Sequence, residues 1–274
     1  MVHASKGEEM GDAERSGWWG RFTIEDGAIL RWSIGPLQMW IERAGPELRV
    51  KWSHTGEANE AREEVGVTEE EELERSDWTR YAFSESPDVL TLIPSMADRS
   101  MVLRPQEPMV IPSLERATLY VSTPTWIVLQ GGRAERFMAE IPTWRPSDTW
   151  FGNFQEGEVC YAGTTRGRRT LEELLVVPHR ATTAVLLNNA SSEPLPVERF
   201  SLPVKSLSLY TDAAGRLWTN GMEVTYATAG LEHAEVKIDA GAPVDAGPGC
   251  ALVSTPREKT NQTLMHRMFA RFWR

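Results

Sequence analysis

The chain has few of the residues that stabilise exported or membrane-bound proteins. Its 274 residues include only two cysteines, Cys160 and Cys250, too few for a disulfide scaffold. No uninterrupted apolar run approaches the roughly 20 residues that a membrane helix needs, and the first 16 residues lack the apolar core of a signal peptide. These absences predict a soluble cytoplasmic protein without a transmembrane segment.

Positive charge is also scarce. The sequence has 29 lysines and arginines against 39 aspartates and glutamates, for a net charge of −10. A protein that binds nucleic acid must present a basic face to the phosphates. The composition therefore predicts no nucleic-acid partner.

Motifs for metal, nucleotide and covalent chemistry are missing as well. The five histidines are scattered, with no spacing typical of a metal site: His3, His54, His179, His233 and His266. There is no Gly-x-Ser-x-Gly nucleophile motif and no phosphate-binding loop. Cys160 lies in an apolar strand, which raises the pKa of a thiol and predicts a buried structural residue. We therefore predict no metal site, no cofactor and no catalytic residue.

What the sequence does contain is short alternating apolar and polar runs, separated by glycine and proline. Ile29–Ile34 and Leu37–Glu42, for example, are joined by Gly35-Pro36, the pattern of a β-hairpin. Long helical periods are absent, which argues against a parallel α/β fold. The pattern predicts an all-β protein with two β-sandwich-like domains and a short C-terminal amphipathic helix.

The predicted organisation places a soft domain boundary near Pro112-Ser113. In chain order, the segments are a disordered tail (1–16), an N-terminal β domain (17–112) with an acidic loop (56–75), a C-terminal β-sandwich domain (113–256) and an amphipathic helix (257–274). A single helical turn is predicted at 170–177. The glutamate-rich loop favours a solvated connection, with docking of a basic partner as the alternative.

The segment 141–169 is the richest in groups that bind ligands, because aromatic and charged residues are interleaved there. The candidate binding residues are Asp148, Trp150, Tyr161, Arg166 and Arg168. The two glycines of the predicted turn 162–169 would let main-chain N–H groups and arginines converge on an anion. The alternatives are that the arginines pair with local glutamates and that Trp150 is a core or hinge residue.

Two classes of function are compatible with this segment. The first is a non-catalytic module that binds a small molecule or a protein. The second is a hydrolase-like enzyme acting on a sugar or another polar small molecule, with Asp148, Glu156 or Glu158 as acid or base. An enzyme should bring these carboxylates into one concave pocket, whereas a binding module should show an open face of aromatic side chains and arginines.

The C-terminal segment has apolar residues at the spacing of one helix face. They are Leu264, Met265, Met268, Phe269, Phe272 and Trp273. We expect this helix to pack on its own domain or across a homodimer, with a partner protein or a membrane surface as the alternatives.

Several segments of the sequence resemble those of a known family. They are Trp18–Phe22 (WWGRF), Ser33–Arg43 (SIGPLQMWIER), Pro146–Arg169 (PSDTWFGNFQEGEVCYAGTTRGRR), Val197–Tyr210 (VERFSLPVKSLSLY) and Leu217–Asn220 (LWTN). Together they are similar to the prokaryotic family called domain of unknown function 432, over most of the chain from Trp18 to about Ile238. The resemblance implies a β-rich soluble protein and assigns no residue a catalytic role.

Overall fold

A computed structural model describes residues 15–68, 77–227, 233–259 and 263–268 of the chain. These residues form 24 strands, two short 3-10 helices at Val204–Ser206 and Val244–Ala246, and no α-helix. The prediction of an all-β protein is therefore confirmed.

The strands are short and follow one another closely. The first twelve are β1 (Arg15–Ser16), β2 (Trp19–Thr23), β3 (Ile29–Ile34), β4 (Leu37–Ala44), β5 (Glu47–His54), β6 (Glu63–Val67), β7 (Thr79–Ala82), β8 (Val89–Ser95), β9 (Met101–Pro105), β10 (Met109–Ile111), β11 (Arg116–Pro124) and β12 (Trp126–Gly131). The second twelve are β13 (Arg136–Pro142), β14 (Asp148–Phe151), β15 (Glu158–Gly167), β16 (Arg180–Asn189), β17 (Leu195–Val197), β18 (Phe200–Leu202), β19 (Leu209–Thr211), β20 (Leu217–Thr219), β21 (Met222–Tyr226), β22 (His233–Ile238), β23 (Ala251–Ser254) and β24 (Thr263–Arg267).

The N-terminal strands form an antiparallel meander in the order β6-β3-β4-β5-β7. Strands β3 and β4 form a hairpin in which Ile34 is opposite Leu37, so Gly35 and Pro36 are a two-residue turn. Gly35 has a φ of 54°, in the region where a side chain is strained, so glycine suits this position.

Two other sheets join strands from both sides of the predicted domain boundary near Pro112. One has the order β1-β2-β8-β12-β13, and the other has the order β14-β15-β9-β18. Strand β8 pairs with β12, and strand β9 pairs in parallel with β15. Strand β10, which ends at Ile111, likewise pairs with β17 in a small third sheet. A division at Pro112 would therefore cut three hydrogen-bonded sheets, and the assignment of two sandwich-like domains stays a prediction.

The largest sheet lies in the C-terminal half. Its order is β23-β19-β20-β16-β21-β22-β24, and β11 also pairs with β16. Strand β16 runs antiparallel to β11 and parallel to β20 and β21. Strands β10 and β17 form a separate two-stranded sheet.

All five sheets contribute to one hydrophobic core. Its members include Trp32, Leu90, Leu103, Ile111 and Val185, one from each sheet. Burial of such side chains is the main favourable contribution to folding. The shared core explains why these short strands are stable together.

The predicted C-terminal helix is wrong for the residues that the structure describes. Thr263–Arg267 form β24, which pairs antiparallel with β22. The helical pattern placed Leu264 and Met265 on one apolar face, but Leu264 packs against the core while Met265 is 64% exposed. Main-chain hydrogen bonding along the edge of β22 outweighs the helical periodicity. The idea of a dimer or partner contact through this helix fails with it, and Phe272 and Trp273 lie outside the described residues.

Two further segments differ from their predictions. Glu63–Val67 lie within the predicted acidic loop but form β6 at the edge of the meander, while residues 69–75 lie outside the described part of the chain. Arg15–Ser16 lie within the predicted tail but pair with β2 as β1, and residues 1–14 are not described.

The segment 170–177, where one helical turn was predicted, contains a single turn. The Leu174 N–H closes it by donating to the Leu171 carbonyl at 3.0 Å.

Candidate functional site

The hairpin of β14 and β15 carries three of the five predicted binding residues on one face. Asp148 is opposite Tyr161, and Trp150 is opposite Val159. Side chains at directly opposed positions, and at every second position along a strand, share a face of the sheet. The structure therefore places Asp148, Trp150 and Tyr161 on one face of the hairpin, and their role in binding stays a prediction.

Tyr161 is the buried centre of a cluster of charged residues. Its ring is 3% exposed and lies 5.5 Å from the ring of Trp126, centroid to centroid. Its hydroxyl donates to the Asp98 carboxylate at 2.9 Å. Burial raises the pKa of Tyr161, and the hydrogen bond and charge of Asp98 raise it further. Tyr161 is therefore a neutral hydrogen-bond donor in this cluster.

Two arginines lie over the Tyr161 ring. The guanidinium carbons of Arg99 and Arg145 are 5.5 and 5.3 Å from the ring centroid, within cation–π distance. Asp148 accepts hydrogen bonds from both, at 3.3 Å from Arg99 and 3.0 Å from Arg145. The hydrogen bond to Asp148 raises the pKa of Arg145. The cluster is thus a charged layer that covers one aromatic ring and that holds Asp148 in place.

Beyond this cluster, the hairpin exposes large apolar side chains to solvent. Trp150 is 47% exposed, Val159 is 48% exposed and Phe154, in the connecting loop, is fully exposed. The loop is ordered by Asn153, whose side-chain oxygen accepts from the N–H groups of Gln155 and Glu156, while its carbonyl accepts from the Trp150 indole at 3.1 Å. We call Trp150, Phe154 and Val159 the hairpin patch.

The carboxylates of the enzyme hypothesis do not converge. Asp148 is occupied by two arginines, and Glu156 pairs with the buried Arg267 at 3.1 Å. Glu158 is opposite Phe151, on the other face of the hairpin from Asp148. Acid and base residues need to face a common reacting centre, and these three lie in separate surroundings.

Among the cavities formed by the described residues are two that are large enough for a small ligand. One, of about 540 Å³, lies between β10 and the start of β11, and the other, of about 460 Å³, lies beside Gly131 and Gly132. None of Asp148, Glu156 and Glu158 lines either cavity.

Arg166 and Arg168 lie apart from the hairpin patch. The predicted turn 162–169 is wrong up to Gly167, since Glu158–Gly167 form one strand whose pairing with β9 is irregular between Ala162 and Arg166. Arg166 is opposite Arg104 in that pairing. The main chain of Arg168 exchanges two hydrogen bonds with Tyr120, at 2.8 and 2.9 Å. The N–H groups predicted to converge on an anion belong largely to the sheet.

A buried arginine that the sequence analysis did not single out holds the irregular part of β15. Arg180 is 2% exposed, and its guanidinium donates to the Ser122 hydroxyl at 3.0 Å and to the hydroxyls of Thr164 and Thr165 at 3.3 and 3.2 Å. Burial lowers the pKa of Arg180 to about 9. Arg180 thus joins three strands and fixes the conformation of β15 before Arg166.

Metal and thiol chemistry find little support in the described residues. They contain no cluster of three or more His, Cys, Asp or Glu side chains placed to hold a metal ion. Cys160 is fully buried against Val102 and Phe151. Burial, and then the charge of Glu158, raises the pKa of the Cys160 thiol to about 12. This agrees with the predicted structural role of Cys160.

No helix in the described part of the chain is long and apolar enough to cross a membrane. No curated protein and no solved structure matches the chain. A family model does match residues 18–273, nearly the whole chain. The resemblance found in the sequence is therefore confirmed, and the chain belongs to the family described as "Protein of unknown function (DUF432)".

Proposed function

We propose that the chain is a non-catalytic binding module that contacts a partner protein through the hairpin patch. The observation that carries this proposal is the exposure of Trp150 and Val159, which are opposite each other in the hairpin, and of Phe154 in the loop that connects its strands. Exposed apolar side chains that adjoin one another are typical of interaction sites, whereas single ones are ordinary. Tryptophan and arginine are also the residues that contribute most to binding energy at protein interfaces.

The surroundings of the patch support a protein partner more than a small molecule. Trp150, Phe154 and Val159 are each at least 47% exposed, and none of them lines either of the two cavities described above. Small ligands bind in concave sites that bury most of their surface, whereas protein partners bind to flat or convex faces. Arg145 and Asp148 at its border would supply polar contacts of both signs. We therefore infer a partner surface with an apolar centre and a polar rim.

The described surroundings of Asp148, Glu156 and Glu158 favour the binding module over the enzyme, because the three carboxylates lie apart. A cytoplasmic location also remains a proposal. The two cysteines are free, which supports a reducing compartment.

Photo-crosslinking from the hairpin patch tests the proposal. A photoreactive phenylalanine analogue replaces Phe154 in the full chain, and the same analogue at Val244 serves as control because that residue is 96% exposed outside the patch. In lysate of the native host we expect one dominant protein adduct from position 154 and none of the same mass from position 244. Trp150→Ala in the Phe154 variant should reduce the yield of that adduct about ten-fold or more.

The folding control is the thermal midpoint of the Trp150→Ala chain. Because the Trp150 side chain is half exposed, we expect this midpoint to stay close to that of the parent chain. Equal adducts from both positions, or an adduct that Trp150→Ala leaves unchanged, would refute the proposed surface. A thermal-shift screen of sugars, phosphates, nucleotides and metals tests the enzyme alternative, because only ligands of the native state raise the midpoint.

A further inference from the structure

One face of the sheet β14-β15-β9-β18 carries neighbouring arginines. Arg166 in β15 and Arg104 in β9 are register partners in the parallel pairing of these strands. Neighbouring strands lie about 4.8 Å apart, and register partners project to the same face. Both arginines are exposed. Two positive side chains are therefore held next to each other by the backbone.

Arg199 extends the pair to a row. Phe200 in β18 is opposite Leu103 in the antiparallel pairing with β9, which puts Arg199, the preceding residue, beside Arg104. After burial, the charge of Arg104 is the next cause that lowers the pKa of Arg199, in keeping with their proximity. The guanidinium of Arg199 lies over the Phe151 ring at 5.4 Å. We call Arg166, Arg104 and Arg199 the arginine row.

The row is unusual because the chain is acidic. Acidic residues outnumber lysines and arginines by 39 to 29, yet within the described residues no carboxylate forms an ion pair with Arg104 or Arg166. Like charges at directly opposed positions of a sheet destabilise it. An anion that binds between the two guanidinium groups would convert this repulsion into attraction.

We propose that Arg104 and Arg166, extended by Arg199, form a binding site for a phosphate group. Two guanidinium groups on neighbouring strands together offer more N–H donors than one carboxylate can accept, and several such donors suit the oxygens of a tetrahedral anion. Arg180 holds β15 directly before Arg166, which helps to fix the backbone position from which the Arg166 side chain projects. The source of the phosphate group is either inorganic phosphate or an organic phosphate monoester.

This site is independent of the proposed function. Arg104 and Arg166 share a face with Val102 and Cys160, whereas Trp150 and Val159 lie on the opposite face of the hairpin. Loss of one activity therefore leaves the other testable.

Titration calorimetry and thermal shift with sodium phosphate test the site, against sodium chloride of the same ionic strength. Phenyl phosphate forms the organic arm. We expect phosphate to raise the thermal midpoint where chloride does not. Arg104→Gln and Arg166→Gln should each weaken phosphate binding about ten-fold, since each removes a charged hydrogen-bonding partner. Tighter binding of phenyl phosphate than of inorganic phosphate would identify the monoester as the ligand class.

The same variants give a second readout of opposite sign. Without phosphate and at low salt, Arg104→Gln should raise the midpoint by about 1 to 2 °C, because it removes the repulsion within the row. Arg136→Gln is the matched control, since Arg136 is an exposed strand arginine in a different sheet, and we expect it to leave phosphate binding unchanged. Arg104→Lys, which keeps the charge, should retain part of the affinity.

Three results would overturn the site. One is a phosphate effect no larger than that of chloride. Another is unchanged phosphate binding in both glutamine variants. The third is a lower midpoint for Arg104→Gln in phosphate-free buffer, which would make Arg104 a structural residue.

Discussion

Lowering the pH from 7 to 4.5 should destabilise this protein through one buried histidine, His179. Its side chain is fully buried, and its Nε2 lies 3.1 Å from the Ala58 carbonyl. Its Nδ1 has no hydrogen-bond partner among the described residues. Burial, and in addition the nearby charge of Arg180, lowers the pKa of His179 to about 4. The folded protein therefore holds His179 in the neutral form.

The size of the effect follows from the difference between the folded and unfolded pKa. The unfolded value is about 6.5, so between pH 6.5 and pH 4 the unfolded chain binds a proton at His179 that the folded chain does not. Stability is fully present above pH 6.5 and is lost as the pH falls towards 4. Each unit of difference corresponds to about 1.4 kcal/mol, which gives a total loss of about 3 kcal/mol.

Urea denaturation followed by tryptophan fluorescence at pH 7.5, 6.5, 5.5 and 4.5 measures this loss. His179→Gln removes the titrating group, so the free energy of unfolding should change less with pH over this window, although the variant is less stable at pH 7.5. Thr143→Val is the matched control, because the Thr143 hydroxyl donates to main-chain carbonyls next to the same site and does not titrate. If His179→Gln keeps the pH dependence of the parent chain, the burial argument is wrong.

Two other expectations concern residues near these sites. In urea denaturation, Gly35→Ala should destabilise the fold by about 2 kcal/mol more than Gly45→Ala. Both glycines have a positive φ, but only a Cβ at Gly35 would come too close to a neighbour, namely 2.3 Å from His179 Nδ1. Equal losses in the two variants would show that the turn strain alone matters. Cys160 should resist an aromatic disulfide reagent at pH 8 until urea unfolds the chain, because it is buried and burial raises its pKa to about 12. The partly exposed Cys250 should react in the native protein. Reaction of one equivalent of reagent at Cys160 without urea would contradict this.

Local pattern predicted much of the strand structure. Ile29–Ile34 has the predicted bounds, because alternation and flanking turn residues specify both ends. The strand at Thr263–Arg267 was missed because its apolar spacing also fits a helix, and only the free edge of β22 decides between the two. Glu63–Val67 was missed for a similar reason, since its glutamates indicate a loop until β3 offers an edge.

The candidate site was predictable only where its residues are close in sequence. Asp148, Trp150 and Tyr161 belong to one hairpin, so their common face follows from alternation. The contact of Asp148 with Arg99, 49 positions earlier, depends on the parallel pairing of β9 and β15. No local signal specifies that pairing.

Contacts between distant parts of the chain also determine when folding can be completed. The Trp18 indole donates to the carbonyl of Pro178, 160 positions later, at 3.2 Å. At about 5 to 20 residues per second, a ribosome needs roughly 10 to 30 s to make the intervening chain. The meander β3-β4-β5 pairs only with near neighbours and can form during that interval, whereas the buried position of Trp18 must wait. Newly made chains therefore expose a core tryptophan for seconds, and a chaperone that holds apolar segments during synthesis would act on that interval.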